Sequence, residues 1–295
     1  MKIGLAAAFG DSPLRDIGFL KAFARAAEDC GFNSLWVPEH IVFFNRYTDP
    51  YPHTPDGVAP WKGRFGLYDP MLVCTVAAGV TTRLRLGSAV LIVPERPPLL
   101  LAKEIMTLDH IAEGRFDFGA GLGWSSQEYA ALGVSWQGRG KRFDEYLDAI
   151  RVAWSAETAE FNGEFVQFKD AVLQPHPHTR GGPPILIGGN SDFAIRRALR
   201  RGNGWIGVGT RYDEPEPLLA RVHAALEKDS LPRNRDFQIK LSLPYSPHNS
   251  DDDLLNMVRS VANLGLHELV LQLPVRAKFL ESDMRRWSGL LGLTG

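Results

Sequence analysis

The chain has 295 residues, 44% of them hydrophobic and 23% charged, with 33 Lys and Arg against 34 Asp and Glu for a formal net charge of −1. This composition excludes a disordered chain and offers no broad positive field for nucleic acid or an anionic membrane, so any anion site must be local. No apolar run approaches the roughly 18 residues of a membrane helix, and no long apolar stretch precedes Asp11, so neither a membrane span nor a signal peptide is expected and a cytoplasmic location is.

In chain order, short apolar or β-branched runs alternate with helix-period segments, which is the mark of parallel βαβ units. Lys2 to Phe9 reads as a first strand, and Leu14 to Cys30 as an amphipathic helix ended by Gly31. Ser34 to Glu39 (SLWVPE) is the second strand, Pro70 to Val80 the second helix and Leu84 to Val93 (LRLGSAVLIV) a long third strand. Pro97 to Ile111 follows as a helix with prolines in its first turn, where a missing N–H costs nothing. Arg115 to Gly121 (RFDFGAG) is the fourth strand, and Arg142 to Trp154 the next helix. ILIGG (185–189), WIGV (205–208), FQIKLSL (237–243) and ELVLQL (268–273) complete eight strands separated by helix-like segments. No linker divides them, so the expectation is a (β/α)8 TIM barrel in one domain over 1–295, with its active site at the C-terminal strand ends.

Two stretches exceed a minimal barrel. Ile41 to Asp69 follows strand two without a clear period, carries several prolines and Phe43, Phe44, Tyr47, Tyr51 and Trp61, and reads as a long loop and candidate lid. Phe161 to Leu173 alternates apolar and polar residues and reads as a hairpin inserted before strand five. Cys30 and Cys74 lie among Ala, Val and Leu and are expected to be reduced, buried thiols.

Three local signals bear on chemistry. ILIGGNSDFAIRRALRRG (185–202) ends a strand at Gly188 and Gly189 and starts a helix near Ser191 or Asp192. Free backbone N–H groups there suit a phosphate, and a plain βα turn capped by Ser191 fits the same residues. Downstream, Arg196, Arg197, Arg200 and Arg201 fit either an anionic tail or a solvated helix face. His40, directly after Glu39 at the end of strand two, suits a proton donor or acceptor and equally a histidine packed under the loop. In FGAGLGWSSQEY (118–129), Gly119, Gly121 and Gly123 lack the dinucleotide-fingerprint spacing, and Trp124 could stack on a flat ring or cover the rim. His176 and His178 alternate with prolines, no Cys/His spacing suggests a metal, and no metal site is expected.

Taken in order, AKEIMTLDHIAEGRFDFGAGLGW (102–124), RGKRFDEYLDAIRVAW (139–154), FNGEFVQF (161–168), PPILIGGNS (183–191) and GNGWIGVG (202–209) resemble the luciferase-like monooxygenase superfamily over almost the whole chain. With LRLGSAVLIVP (84–94), the match is nearest to its F420-dependent oxidoreductase branch. The resemblance implies a barrel with a flavin or deazaflavin ring over its C-terminal mouth and a non-prolyl cis peptide between Ala89 and Val90. It carries cofactor contacts to Glu39, Ala89, Val90, Ile92, Gln127, Gly188, Gly189, Ser191 and Asp192, and a proton-donating role to His40. It departs from the superfamily's sugar-phosphate dehydrogenases at Trp124, where they have a catalytic glutamate, so their reaction is not implied. The expected activity is hydride transfer between coenzyme F420 and a small organic substrate. The alternatives are a reduced-FMN monooxygenase served by a flavin reductase, and a non-catalytic flavin-binding barrel. Homodimers occur among similar proteins.

Overall fold

In the computed structural model, which describes residues 1–12, 14–61, 66–209, 215–228, 237–245 and 250–294, the alternating runs form a closed parallel barrel ringed by helices. In chain order the elements are β1 (Lys2–Ala6), α1 (Ile17–Asp29), β2 (Ser34–Val37), α2 (Pro70–Ala78), β3 (Arg85–Ser88), β4 (Leu91–Ile92), α3 (Pro98–Ile111), β5 (Phe116–Gly121), α4 (Ser126–Ala131) and α5 (Arg139–Ser155). There follow β6 (Ala159–Asn162), β7 (Gln167–Ala171), β8 (Ile185–Gly188), α6 (Asp192–Arg201), β9 (Gly204–Val208), α7 (Pro215–Lys228), β10 (Gln238–Pro244), α8 (Asp251–Ala262), β11 (Glu268–Gln272) and α9 (Leu280–Leu291).

Parallel pairing runs β3-β2-β1-β11-β10-β9-β8-β5, and β3 closes the ring on β5 through Leu86 opposite Phe116 and Gly87 opposite Asp117. The strand expected over 84–93 is interrupted: β3 stops at Ser88, the Ala89–Val90 peptide is cis, and β4 resumes on β5 at Leu91 and Ile92. Counted as one strand, β3 and β4 give the eight of a (β/α)8 barrel. The strands expected to end at Phe9 and Glu39 stop earlier, at Ala6 and Val37, although the Ala7 N–H still reaches the Trp36 carbonyl at 3.0 Å. Antiparallel β6 and β7 form the expected hairpin, with Phe161 stacked on Phe168. Residues 62–65 of the long loop lie outside the described residues.

Local chemistry sets the helix limits. Asp16 caps α1 by accepting from the Phe19 amide at 2.9 Å, and α1 buries Phe19, Leu20, Phe23, Ala24 and Ala27 against the barrel. Helix α5 starts at Arg139, three residues before the apolar pattern begins, because Gly138 turns the chain in the left-handed region. Cys74 is buried and Cys30 half-buried, and both thiols are free.

The main hydrophobic core lies between the strands and the helix ring, and a smaller cluster of Trp36, Leu186, Ile206 and Val270 fills the barrel. The barrel floor is ionic. Lys240 bridges Asp117 and Glu268, both at 2.8 Å, Arg85 pairs with Asp117 at 2.5 Å, and Ser34 and Asn33 donate to Glu268. Burial alone would depress the Lys240 pKa, but the two carboxylates outweigh it and hold the ammonium charged. Asp117 is likewise kept ionised against its burial by Lys240 and Arg85.

Candidate functional site

The chain leaves β2 through Pro38, Glu39 and His40, which places the imidazole at the C-terminal mouth of the barrel, 12% exposed. His40 Nδ1 lies 2.9 Å from Glu128 Oε2, and Trp124 Nε1–H points at His40 Nε2 from 3.4 Å. An indole nitrogen can only donate, so Nε2 is the acceptor and the proton sits on Nδ1, donated to Glu128. Glu128 is almost fully buried, and its Oε1 also accepts the amides of Ile41 (2.6 Å) and Val42 (3.0 Å). One carboxylate therefore fixes both the imidazole tautomer and the first residues of the long loop.

In the sequence the only mark of Glu128 is the capping-box pattern of a helix start in Ser125-Ser126-Gln127-Glu128, which points to a helix cap and not to a histidine partner. Ser125 does cap α4, its Oγ accepting the Glu128 amide at 3.3 Å. The Glu128 side chain, however, turns to the loop. Gln127 also serves the loop, accepting the Thr48 amide at 2.7 Å, and Asp49 accepts from the amide and hydroxyl of Ser126. Helix α4, too short for the sequence pattern to reveal, thus pins residues 41–49.

Above His40 the loop aromatics meet the barrel rim. His40 packs against Phe43, Trp61 and Trp124 with ring centroids 5.2, 5.4 and 5.9 Å away. Tyr47 and Tyr51 close on Trp124 at 4.8 and 5.2 Å. Trp124 therefore belongs to the wall around His40. The result is an aromatic enclosure in which His40 Nε2 accepts from Trp124 at 3.4 Å and the Tyr47 hydroxyl accepts from Trp61 at 3.3 Å.

Behind His40 lies a second group of ionisable residues. Glu39 is buried, accepts the Ile92 amide at 2.6 Å and pairs with Arg96 at 2.7 Å, and Arg96 reaches Asp69 at 3.0 Å. Burial raises the Glu39 pKa, opposed chiefly by Arg96. The carboxylate thereby ties the end of β2 to β4. Glu95 is 7% exposed, and neither of its oxygens has a hydrogen-bond partner among the described residues. Burial, reinforced by Glu128 and Glu39, pushes its carboxyl up to about 9.

The glycine-rich wall follows from shape. The Val90 side chain occupies the space that a Cβ would need at Gly121 (2.3 Å) and Gly188 (2.7 Å), and a Cβ on Gly119 would strike the Ser88 carbonyl at 1.8 Å. Val90 thus packs directly onto three glycines, and Ile92 likewise fills the space beside Gly123, where a Cβ would meet it at 2.9 Å. After Gly188, Gly189 has φ +118°, a conformation other residues rarely adopt, and Ser191 caps α6 through the Ala194 amide at 3.2 Å. The amides of Asn190, Ser191, Asp192 and Phe193 take no acceptor among the described residues. Asp192 would repel an anion there, but Arg221 binds its carboxylate at 2.5 Å. The turn is therefore a cradle that a phosphate fits.

The luciferase-like monooxygenase family model matches residues 1–289. An uncharacterized protein of Mycobacterium tuberculosis is 36% identical over 215 residues, covering 72% of this chain and 76% of that one. An F420-dependent glucose-6-phosphate dehydrogenase of Beutenbergia cavernae is 29% identical over 241 residues, covering 78% of this chain and 65% of that one. Among solved structures, a monooxygenase from Streptomyces bottropensis superposes with a TM-score of 0.76 over 99% of this chain and 98% of its own, at 20% identity.

Proposed function

The chain belongs to the luciferase-like monooxygenase family and is an oxidoreductase; from that premise we propose that, as a single domain, it transfers a hydride between coenzyme F420 and a small, largely apolar organic substrate. The observation that carries the reading is His40, held in one tautomer by buried Glu128, with Nε2 turned to an aromatic enclosure and held there only by a long 3.4 Å bond from Trp124, which a substrate hydroxyl would replace. When bound, a deazaflavin supplies or takes a hydride at a ring carbon.

The chain's own residues have three tasks. Gly188, Gly189, Ser191 and Asp192 would hold the phosphate on the first turn of α6, and Ala89, Val90 and Ile92, braced by Glu39, would support the ring. His40 Nε2 takes a proton from a substrate hydroxyl or, once protonated, returns it to a substrate oxygen, and Glu128 stabilises the imidazolium. The loop aromatics shed water from the enclosure and favour an apolar or aromatic substrate. Glucose 6-phosphate is not the proposed substrate: Trp124 stands where the resemblance places the sugar-phosphate dehydrogenases' glutamate.

Titrating purified apoprotein with F420 and with FMN tests the proposal. Tighter binding of F420 supports it. Tight binding of FMN alone would move the chain to the reduced-flavin monooxygenases, which need a partner reductase, and binding of neither would leave a non-catalytic barrel.

A further inference from the structure

The four arginines of α6 separate into two pairs. Arg197 and Arg201, one turn apart, face α5, where Arg197 binds Asp144 and Arg201 binds Asp148 at 3.0 Å. Arg196 and Arg200 lie one residue earlier, about 100° round the helix, and face α7. Between α6 and α7 runs a groove of about 440 Å³, also lined by Arg221 and Lys228. Ala224 and Ala225 stand on its α7 side, so small side chains leave a channel where larger ones would have filled the helix contact.

The groove's charge contrasts with that of the molecule. Its described lining holds four cations (Arg196, Arg200, Arg221, Lys228) and one carboxylate (Asp192), a net +3, on a chain whose net charge is −1. Arg221 spends itself on Asp192 and the Asn190 carbonyl, and Arg196 stacks on the exposed Phe193 ring. Arg200 and Lys228 are exposed and have no carboxylate partner among the described residues. The groove opens at Asp192, directly after the glycine turn, and runs along α6 to Arg200, a helical rise of about 12 Å. That length accommodates three or four extended residues at about 3.4 Å each.

We infer that the α6–α7 groove is a subsite for an oligocarboxylate tail continuing from a phosphate held at the glycine turn, as the oligoglutamate tail of F420 does. The inference rests on the F420 reading given above and deepens it, since FMN ends at its phosphate and would leave the groove empty. Surface cations grip such a tail without fixing one geometry, so the contribution is additive and sensitive to salt.

The test compares F420 carrying several glutamates with F420 trimmed of them, on wild type and on the double variant Arg200→Glu, Lys228→Glu, at low and high salt. Both residues are exposed, and an unchanged melting temperature establishes that the variant is folded. In wild type at low salt, trimming should weaken binding about tenfold, and high salt should erase the difference. In the double variant the two forms should bind alike, with the trimmed form within about twofold of its wild-type affinity. Equal wild-type affinity for both forms would overturn the tail subsite while leaving the F420 reading standing, as would a tail preference that survives charge reversal. Binding of FMN with neither form of F420 would overturn the reading and the subsite together.

Discussion

Replacing Glu128 with glutamine changes one oxygen to an amide nitrogen and should reverse the histidine it holds. The remaining carbonyl is expected to stay on the Ile41 and Val42 amides, 2.6 and 3.0 Å away, because two donors converge there. The amide NH2 then faces His40 Nδ1, which must become an acceptor, and the proton moves to Nε2. Two consequences follow at once: Trp124 Nε1–H meets another donor, and Nε2 can no longer take a proton from substrate. The lost charge-assisted bond costs about 1.5 to 3 kcal/mol, whereas Glu128→Ala strands three donors and should cost more, roughly 1 kcal/mol or above for each. Every 1.36 kcal/mol off the transition state is tenfold in rate, and a wrong tautomer behind a catalytic histidine has cost about 10⁴ elsewhere. The expectation for Glu128→Gln is thus at least a 10²-fold loss of kcat, with cofactor affinity within a few-fold of wild type. Imidazole ¹⁵N NMR reads the tautomer directly and needs no substrate. A variant that keeps the Nδ1–H tautomer, or turns over within about threefold of wild type, would refute the reasoning and leave Glu128 as a loop anchor.

His40→Ala should bind cofactor within a few-fold of wild type and lose about 10²-fold or more in turnover; a destabilised variant still active per folded molecule would make His40 a packing residue. Gly189→Asp and Gly189→Ala share the backbone strain at φ +118°, but only the aspartate brings a charge, so cofactor should bind the aspartate variant markedly more weakly. Equal titrations would remove the phosphate from the turn. Glu95, whose carboxyl rises to about 9 on folding from an ordinary 4.5, adds stability that is complete below about pH 4.5 and lost as pH climbs towards 9. Glu95→Gln should cancel that dependence, so urea unfolding between pH 5 and 8 should show wild type losing up to about 1.4 kcal/mol per pH unit against the variant; parallel curves would show a carboxyl that ionises freely.

The barrel was legible because the periodicity of each strand and helix is local, and because Gly188-Gly189 before Ser191 marks a turn into a capped helix whatever surrounds it. The His40 partner was not. Glu128 lies 88 residues away, and a single chain carries no signal for which helix start will face which strand end. Glu95 and Arg96 were hidden similarly, inside a segment that reads only as the end of a strand and the start of a helix. Lys240 did leave a trace, as the charged residue in FQIKLSL between Ile239 and Leu241, which points to a polar barrel interior. Its partners Asp117 and Glu268 became visible only with the strand register. In the sequence the four arginines of α6 form one cluster, and the packing of α5 and α7 on two different faces of that helix splits them.

The ionic floor also bears on how the chain could be divided. A break in the connection after β7 would put Arg85 and Asp117 on one fragment and Lys240 and Glu268 on the other. Each piece would carry a cation with its own carboxylate, so neither would enter solution with a lone charge destined for the interior, a situation that typically costs 3 to 5 kcal/mol. Beside the β1–β11 and β5–β8 pairings, the floor contacts that join the pieces across that cut are Lys240 to Asp117 and Ser34 and Asn33 to Glu268, which form only when both are present. The barrel floor is thus suited to a two-fragment complementation system, in which regained activity would report that the two pieces had met.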